Sequence, residues 1–211
     1  MLTLRLSHFG VAYSGIPAIV DLSLELTSAT LAAVSGVLGA GKSTLLRAIE
    51  GRIRHTGKIT ITDGNTTVNE SAIVRPIKRH LLTAETSVYQ FVLLGLLQKS
   101  WTRPADADER IRTALTRCQL LHKSHQPLSA LLPSEMRLAE LAQLFVQQPK
   151  IILIDEPDVH PRHISTDYLT CISDWVKENR TIALVAMEGE PDALRFDRII
   201  PLANGHLQAA V

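Results

Sequence analysis

The sequence predicts an α/β fold with a mostly parallel central sheet, an antiparallel N-terminal β part and an inserted helical subdomain. Three observations predict it. Apolar runs of strand length alternate with helix-length stretches in the last third of the chain. A glycine-rich loop at 36–44 follows one apolar run and precedes a helix-compatible one. The middle, about 77–137, reads as helices set between two strand-rich parts. The 211 residues, 45% of them hydrophobic, suffice for one sizeable core or a core with a smaller lobe. The division predicted is a single domain over 1–211, with a core lobe at about 1–76 and 138–211 and a helical lobe at about 77–137.

The elements follow in order. Leu2, Leu4 and Leu6 alternate with polar residues, as do Leu22, Leu24 and Leu26, so each stretch reads as a half-buried strand. Leu31-Ala-Ala-Val34 is a buried strand, and Leu45-Leu-Arg-Ala-Ile49 opens a helix after the glycine loop. Ile59-Thr-Ile-Thr runs into Asp63-Gly64, a strand entering a turn, and Ala72-Ile73-Val74 is a short strand. Helices are expected over 87–98 and 106–121, parted by Trp101-Thr-Arg-Pro104, with Pro127 ending the second. A helix over 138–148 stops at Pro149, and Ile151-Ile-Leu-Ile154 is an apolar strand ending at Asp155-Glu156. A helix at 164–179, a buried strand at 181–186 and a hairpin turned by Asn204-Gly205 complete the chain.

Composition excludes several function classes. The net charge is +1 and no basic patch stands out, which argues against a nucleic-acid partner. No run approaches the roughly 20 apolar residues of a membrane span, and the N-terminus lacks the features of a signal peptide, so a cytoplasmic protein is expected. Cys118 and Cys171 lie far apart in sequence and read as reduced core thiols. His122/His125 and His160/His163 are each three apart, but no further ligands accompany them.

Residues 36–44, Gly-Val-Leu-Gly-Ala-Gly-Lys-Ser-Thr, match GxxxxGK[ST], the phosphate-binding P-loop. Glycines let backbone N–H groups turn inward on phosphates, and the helix N-terminus adds partial positive charge. Gly36, Gly39, Ala40, Gly41, Lys42, Ser43 and Thr44 are the expected phosphate contacts for ATP. Lys42 is expected to reach the β- and γ-phosphates and Ser43 to hold Mg²⁺. Asp155, at the end of a buried apolar strand, is in the Walker B arrangement and supports Mg²⁺, usually through a water. Glu156 is the candidate general base for the attacking water, a role typically worth about 10²–10⁴ in rate.

With these motifs the chain resembles the nucleotide-binding subunit of an ATP-binding cassette (ABC) transporter along essentially its whole length. Leu141-Ala-Gln-Leu-Phe-Val-Gln-Gln-Pro149-Lys is similar to the family's helix before Walker B. Ser87-Val-Tyr-Gln-Phe-Val-Leu-Leu-Gly95 resembles the start of its helical subdomain, and Phe196–Leu207 its C-terminal strand pair. The resemblance implies a P-loop NTPase core of RecA-like type. It also implies a head-to-tail dimer, homo- or heteromeric, with ATP between one subunit's P-loop and the other's signature motif. A transmembrane permease on a separate chain, a location at the inner face of the cell membrane, and import rather than export follow by the same analogy. Tyr13 stands where the family stacks an aromatic ring on adenine, with Phe9 the competing position and an ordinary strand tyrosine the alternative. Phe91–Leu97 is read as core of the helical lobe, with permease docking as the other reading.

Several family motifs are degraded. The signature LSGGQ becomes Leu131-Leu132-Pro133-Ser134-Glu135, with Ser134 positioned to cap the following helix. Met187 stands in place of the switch histidine, and a thioether cannot donate to a phosphate. Pro76 or Ile77 replaces the loop glutamine, and Val159-His-Pro-Arg162 replaces the dimer-contact loop. The expectation is ATP binding with slow hydrolysis. A non-transport or regulatory nucleotide-binding module is the alternative, and a P-loop kinase is disfavoured by the C-terminal match.

Overall fold

The computed structural model describes residues 1–68, 73–74, 83, 85–97, 102–155 and 166–208. The chain divides into two compact units. The first comprises Met1–Ile73, Lys150–Ile164 and Ser173–Val211, and the second Val74–Pro149 and Ser165–Ile172. The second unit spans the stretch 77–137 and also takes in 138–149 and 165–172.

In the first unit, β1 (Leu2–Tyr13) and β2 (Ile16–Thr27) form a long antiparallel hairpin. Leu2, Leu4 and Leu6 face the core, but so do Phe9 and Val11, so the inward parity changes midway. The change falls at His8, where φ is 47°, and its counterpart in β2 falls at Asp21, where φ is 44°. These two residues are bulges, each of which moves one strand on by a residue. Without them a strict period of two would turn Phe9 and Ile19 to solvent. The bulges are tied to each other, with 2.8 Å between His8 Nδ1 and Asp21 Oδ1.

The chain then enters β3 (Thr30–Ser35), α1 (Lys42–Ile49), β4 (Thr56–Asp63), β5 (Thr66–Thr67) and the short β6 (Ile73–Val74). Among the described residues, β2-β1-β4-β5 form one antiparallel sheet. A second sheet has the order β10-β9-β3-β8-β7-β6, using β7 (Ile151–Asp155), β8 (Ile182–Met187), β9 (Arg198–Ala203) and β10 (His206–Leu207). Its central strands β9, β3, β8 and β7 run parallel. Leu31–Val34 and Ile182–Val185 are all fully buried, as continuous apolar runs in a covered parallel sheet should be. Leu45, Leu46, Ala48 and Ile49 of α1 pack into the same core, while Arg47 faces out.

The second unit holds α2 (Val88–Leu97), α3 (Ala107–Arg117), α4 (Pro133–Phe145) and the first half of α5 (Thr166–Glu178). Phe91, Val92 and Leu96 are buried, as core of the helical unit, while Leu93, Leu94 and Leu97 are half-buried. A Cβ on Gly95 would stand 2.4 Å from the Gln143 carbonyl, which fixes how closely α2 and α4 approach. The Gln143 amide then donates to the Phe91 carbonyl at 2.9 Å. Helix α4 starts at Pro133, five residues before the expected start at 138. Proline at the first helical position has its φ preset and gives up only an N–H that would lack an intrahelical partner. Among the described residues no helix is long and apolar enough to cross a membrane.

Candidate functional site

The ends of three parallel strands lie level in the first unit. In register, Ser35 of β3 pairs with Met187 of β8, and Asp155 of β7 pairs with Ala186. The glycine loop therefore leaves β3 at the carboxyl edge of the sheet, where ligands of open α/β folds bind. Asp155, 112 residues further along the chain, is brought to the loop. The Ser43 hydroxyl donates to Asp155 Oδ1 at 2.8 Å.

The loop's shape comes from its glycines and from what lies behind them. Gly41 is the N-cap of α1 with φ 104°, a conformation that L side chains rarely adopt. A Cβ on Gly36 would stand 2.3 Å from the Leu202 carbonyl of β9, so backbone meets backbone there. Gly39 lies at the exposed tip of the loop, Ala40 is buried beneath it, and Thr44 is half-buried in the first turn of α1. Helix α1 has no acidic residue in its first turn and no side-chain cap, so its terminal N–H groups remain directed at the loop. Lys42 is buried at 3% exposure, and its ammonium donates to the Gly36 and Val37 carbonyls at 2.9 and 3.0 Å.

The two aromatic candidates separate clearly. Phe9 is fully buried in the core of the β1–β2 sheet. Tyr13 is 46% exposed, with its hydroxyl 3.4 Å from Thr44 Oγ1 at the mouth of the loop. Met187 is buried at the end of β8, directly beside β3. Glu156, Pro76, Ile77, His163 and the stretch Val159–Arg162 lie outside the described residues.

The segment at the signature position is a helix start, but not the one expected. Leu132 is the N-cap, and an alkyl side chain accepts no hydrogen bond. Ser134 is the second helical residue and is not the cap, because α4 begins one residue earlier, at Pro133. Glu135 reaches back, its carboxylate accepting from the Leu132 N–H at 3.0 Å. The same carboxylate takes the Lys123 ammonium at 2.6 and 2.8 Å. Lys123, and after it the Leu132 N–H, holds the Glu135 carboxyl below the usual carboxylate range.

One support of the loop is invisible in the local sequence. Asn204 and Gly205 turn β9 into β10 with φ 50° and 77°, as a two-residue hairpin requires. The Gly205 N–H donates to the Ala40 carbonyl at 3.2 Å, and its carbonyl accepts from the Val20 N–H at 2.9 Å. A Cβ there would meet the Ala18 carbonyl at 2.5 Å. Thus the C-terminal hairpin backs the glycine loop from more than 150 residues away. Asn204-Gly205 signals a turn, but nothing in the sequence says what that turn touches.

Known proteins resemble this chain along most of its length. The family model described as ABC transporter matches residues 19–159. The phosphonates import ATP-binding protein PhnC 1 of Trichodesmium erythraeum (strain IMS101) is 29% identical over 220 residues, covering 96% of this chain and 87% of that protein. PhnC of Escherichia coli (strain K12) is 28% identical over 232 residues, covering 97% and 87%. An ATP-binding cassette of an ABC transporter, solved in its ADP conformation, superposes with a TM-score of 0.83 at 22% identity, over 99% of this chain and 90% of that one. The structure of cbiO1 from Clostridium perfringens, part of the ABC transporter complex cbiONQ, gives 0.82 at 21% identity, over 98% and 86%. These structural likenesses share the P-loop NTPase fold.

Proposed function

We propose that this chain, which belongs to the ABC transporter family as an ATP-binding subunit and an ATPase coupled to transport, binds MgATP firmly, hydrolyses it slowly and works with a membrane permease on a separate chain. The observation that carries this reading is the pairing of Ser43 with Asp155 at 2.8 Å beside an uncapped helix N-terminus. Two hard oxygen donors at the phosphate end of the loop suit Mg²⁺, and Ser43 and Asp155 are the residues to hold it. When bound, Mg²⁺ neutralises charge that builds up on the β- and γ-phosphates. Lys42 would leave its loop carbonyls for those phosphates, Gly36 to Thr44 would cradle them, and Tyr13 would stack on adenine. Glu156 would polarise the attacking water.

Slow hydrolysis is supported by what α4 and β8 offer. Pro133 brings no N–H, Leu132 no hydroxyl, and Met187 no hydrogen-bond donor for a γ-phosphate. Two such subunits, or one with a less altered partner, would close over ATP in a head-to-tail dimer at the inner face of the membrane. The names of the PhnC relatives support import as the direction.

The test combines nucleotide binding with turnover. Asp155→Asn should keep ATP binding in EDTA but lose the tightening that Mg²⁺ gives, and Glu156→Gln should keep binding and lose residual turnover. If Glu156→Gln hydrolysed MgATP at the wild-type rate, the general-base role would fall. A wild-type turnover of roughly 1–10 s⁻¹ would overturn slow hydrolysis.

A further inference from the structure

The chain has only two cysteines, 53 residues apart, and the fold brings them together. Cys118 closes the C-terminal end of α3, and Cys171 lies in α5. Their sulfurs are 3.7 Å apart, not joined in a disulfide, and both are buried, Cys118 at 0% and Cys171 at 8% exposure. We propose that this pair is an oxidation site at which a peroxide makes a reversible disulfide pinning α3 to α5.

The geometry favours closure over other outcomes. A disulfide needs about 2.05 Å between sulfurs, so the two must approach by under about 2 Å. Cys118 sits at the C-terminal end of α3, and helix ends are where local opening costs least. Burial disfavours bulky oxidants, and the 8% of Cys171 that is exposed is the side from which a small peroxide would reach the pair. The neighbouring sulfur and burial push the Cys118 thiol well above its ordinary range, so it stays protonated near neutral pH. Cys171, the more exposed of the two, is assigned the first step.

The chemistry balances with peroxide alone. Cys171, as thiolate, attacks one peroxide oxygen and breaks the O–O bond. It becomes a sulfenic acid, and the departing hydroxide takes a proton to leave as water. Cys118 then attacks the sulfenic sulfur, losing its proton as the S–O bond breaks and a second water leaves. Two thiols lose two electrons, and one peroxide becomes two waters. The chain passes from the second unit to the first between Ile172 and Ser173, one residue after Cys171, so the staple holds α5 next to that passage.

The experiment treats the full-length protein with a modest excess of hydrogen peroxide, then denatures and digests it without reductant. The expected product has lost about 2 Da and yields one cross-linked peptide holding Cys118 and Cys171. Amide exchange across α3 and the first half of α5 slows by about 10-fold, and Tm rises by roughly 5 °C. Dithiothreitol reverses all of these changes, and Cys118→Ser or Cys171→Ser alone abolishes the cross-link. Three results would overturn the proposal: two titratable thiols surviving in the denatured product, a mass gain of oxygen in place of the loss, or a disulfide between two chains.

Discussion

Two helices that the proposed function sets beside phosphate begin in opposite ways. Helix α1 starts from Gly41 with no side-chain cap and no acid in its first turn. Helix α4 starts from Leu132 and Pro133 and carries Glu135 in its first turn. The first arrangement leaves N–H groups and the positive end of the helix dipole open to an anion. The second removes one N–H, occupies another with the Glu135 carboxylate, and sets a negative charge at the helix start. Local helix chemistry thus suits the α1 end to an anion, while the α4 end has turned inward on Lys123. The two ends share no residue, so on the proposed function one can change without the other.

Disruption of the α1 end should have the largest effects. Lys42→Ala should raise the Kd for ATP by about 100-fold or more, since a charge-assisted contact to phosphate disappears, and equilibrium binding reads this directly. Gly205→Ala is a subtler attack on the same end. Its Cβ would press on the Ala18 carbonyl at 2.5 Å and loosen the hairpin behind the loop. The Kd should rise about 10-fold, with a loss of roughly 1–3 kcal/mol in stability by denaturant titration. Tyr13→Ala should weaken ATP by about 1–3 kcal/mol, or some 5- to 150-fold, with Tyr13→Phe close to wild type. If Tyr13→Phe weakened binding as much as Tyr13→Ala, the hydroxyl contact to Thr44 and not the ring would carry the effect.

The smallest effect lies at the α4 end. The Glu135 carboxyl is held low by Lys123, so its contribution is full above the unfolded-state pKa of about 4.3 and lost as pH falls through the folded value. Glu135→Gln should lower Tm by a few degrees at pH 7, and the gap to wild type should close as pH falls through the lowered folded value. A gap that persisted once the carboxyl was protonated would mean that Glu135 acts through packing and not through its charge.

The sequence made some of this legible because it is local. The spacing at 36–44 specifies loop and helix start together, and the alternation of Leu2, Leu4 and Leu6 specifies a strand face. Other parts depend on contacts that no window contains. The bulges at His8 and Asp21 are invisible singly, because each makes sense only opposite the other. The start of α4 at Pro133 was hidden by the lack of apolar periodicity in Pro133-Ser-Glu. Ser134 looks like a cap until Leu132 takes that place. The proximity of Cys118 to Cys171 and of Gly205 to Ala40 arises from topology, which brings segments 53 and about 165 residues apart into contact.

The central claim is that the α1 end binds nucleotide while the α4 end limits its hydrolysis. The direct test is MgATP turnover of a Leu132→Ser, Pro133→Gly, Ser134→Gly variant beside wild type, with the Kd for ATP measured on both. Turnover should rise by about 10- to 100-fold, as restored donors on a transition state would give, with the Kd unchanged within about threefold. Equal turnover in the two proteins, with the variant folded and binding ATP, would contradict it.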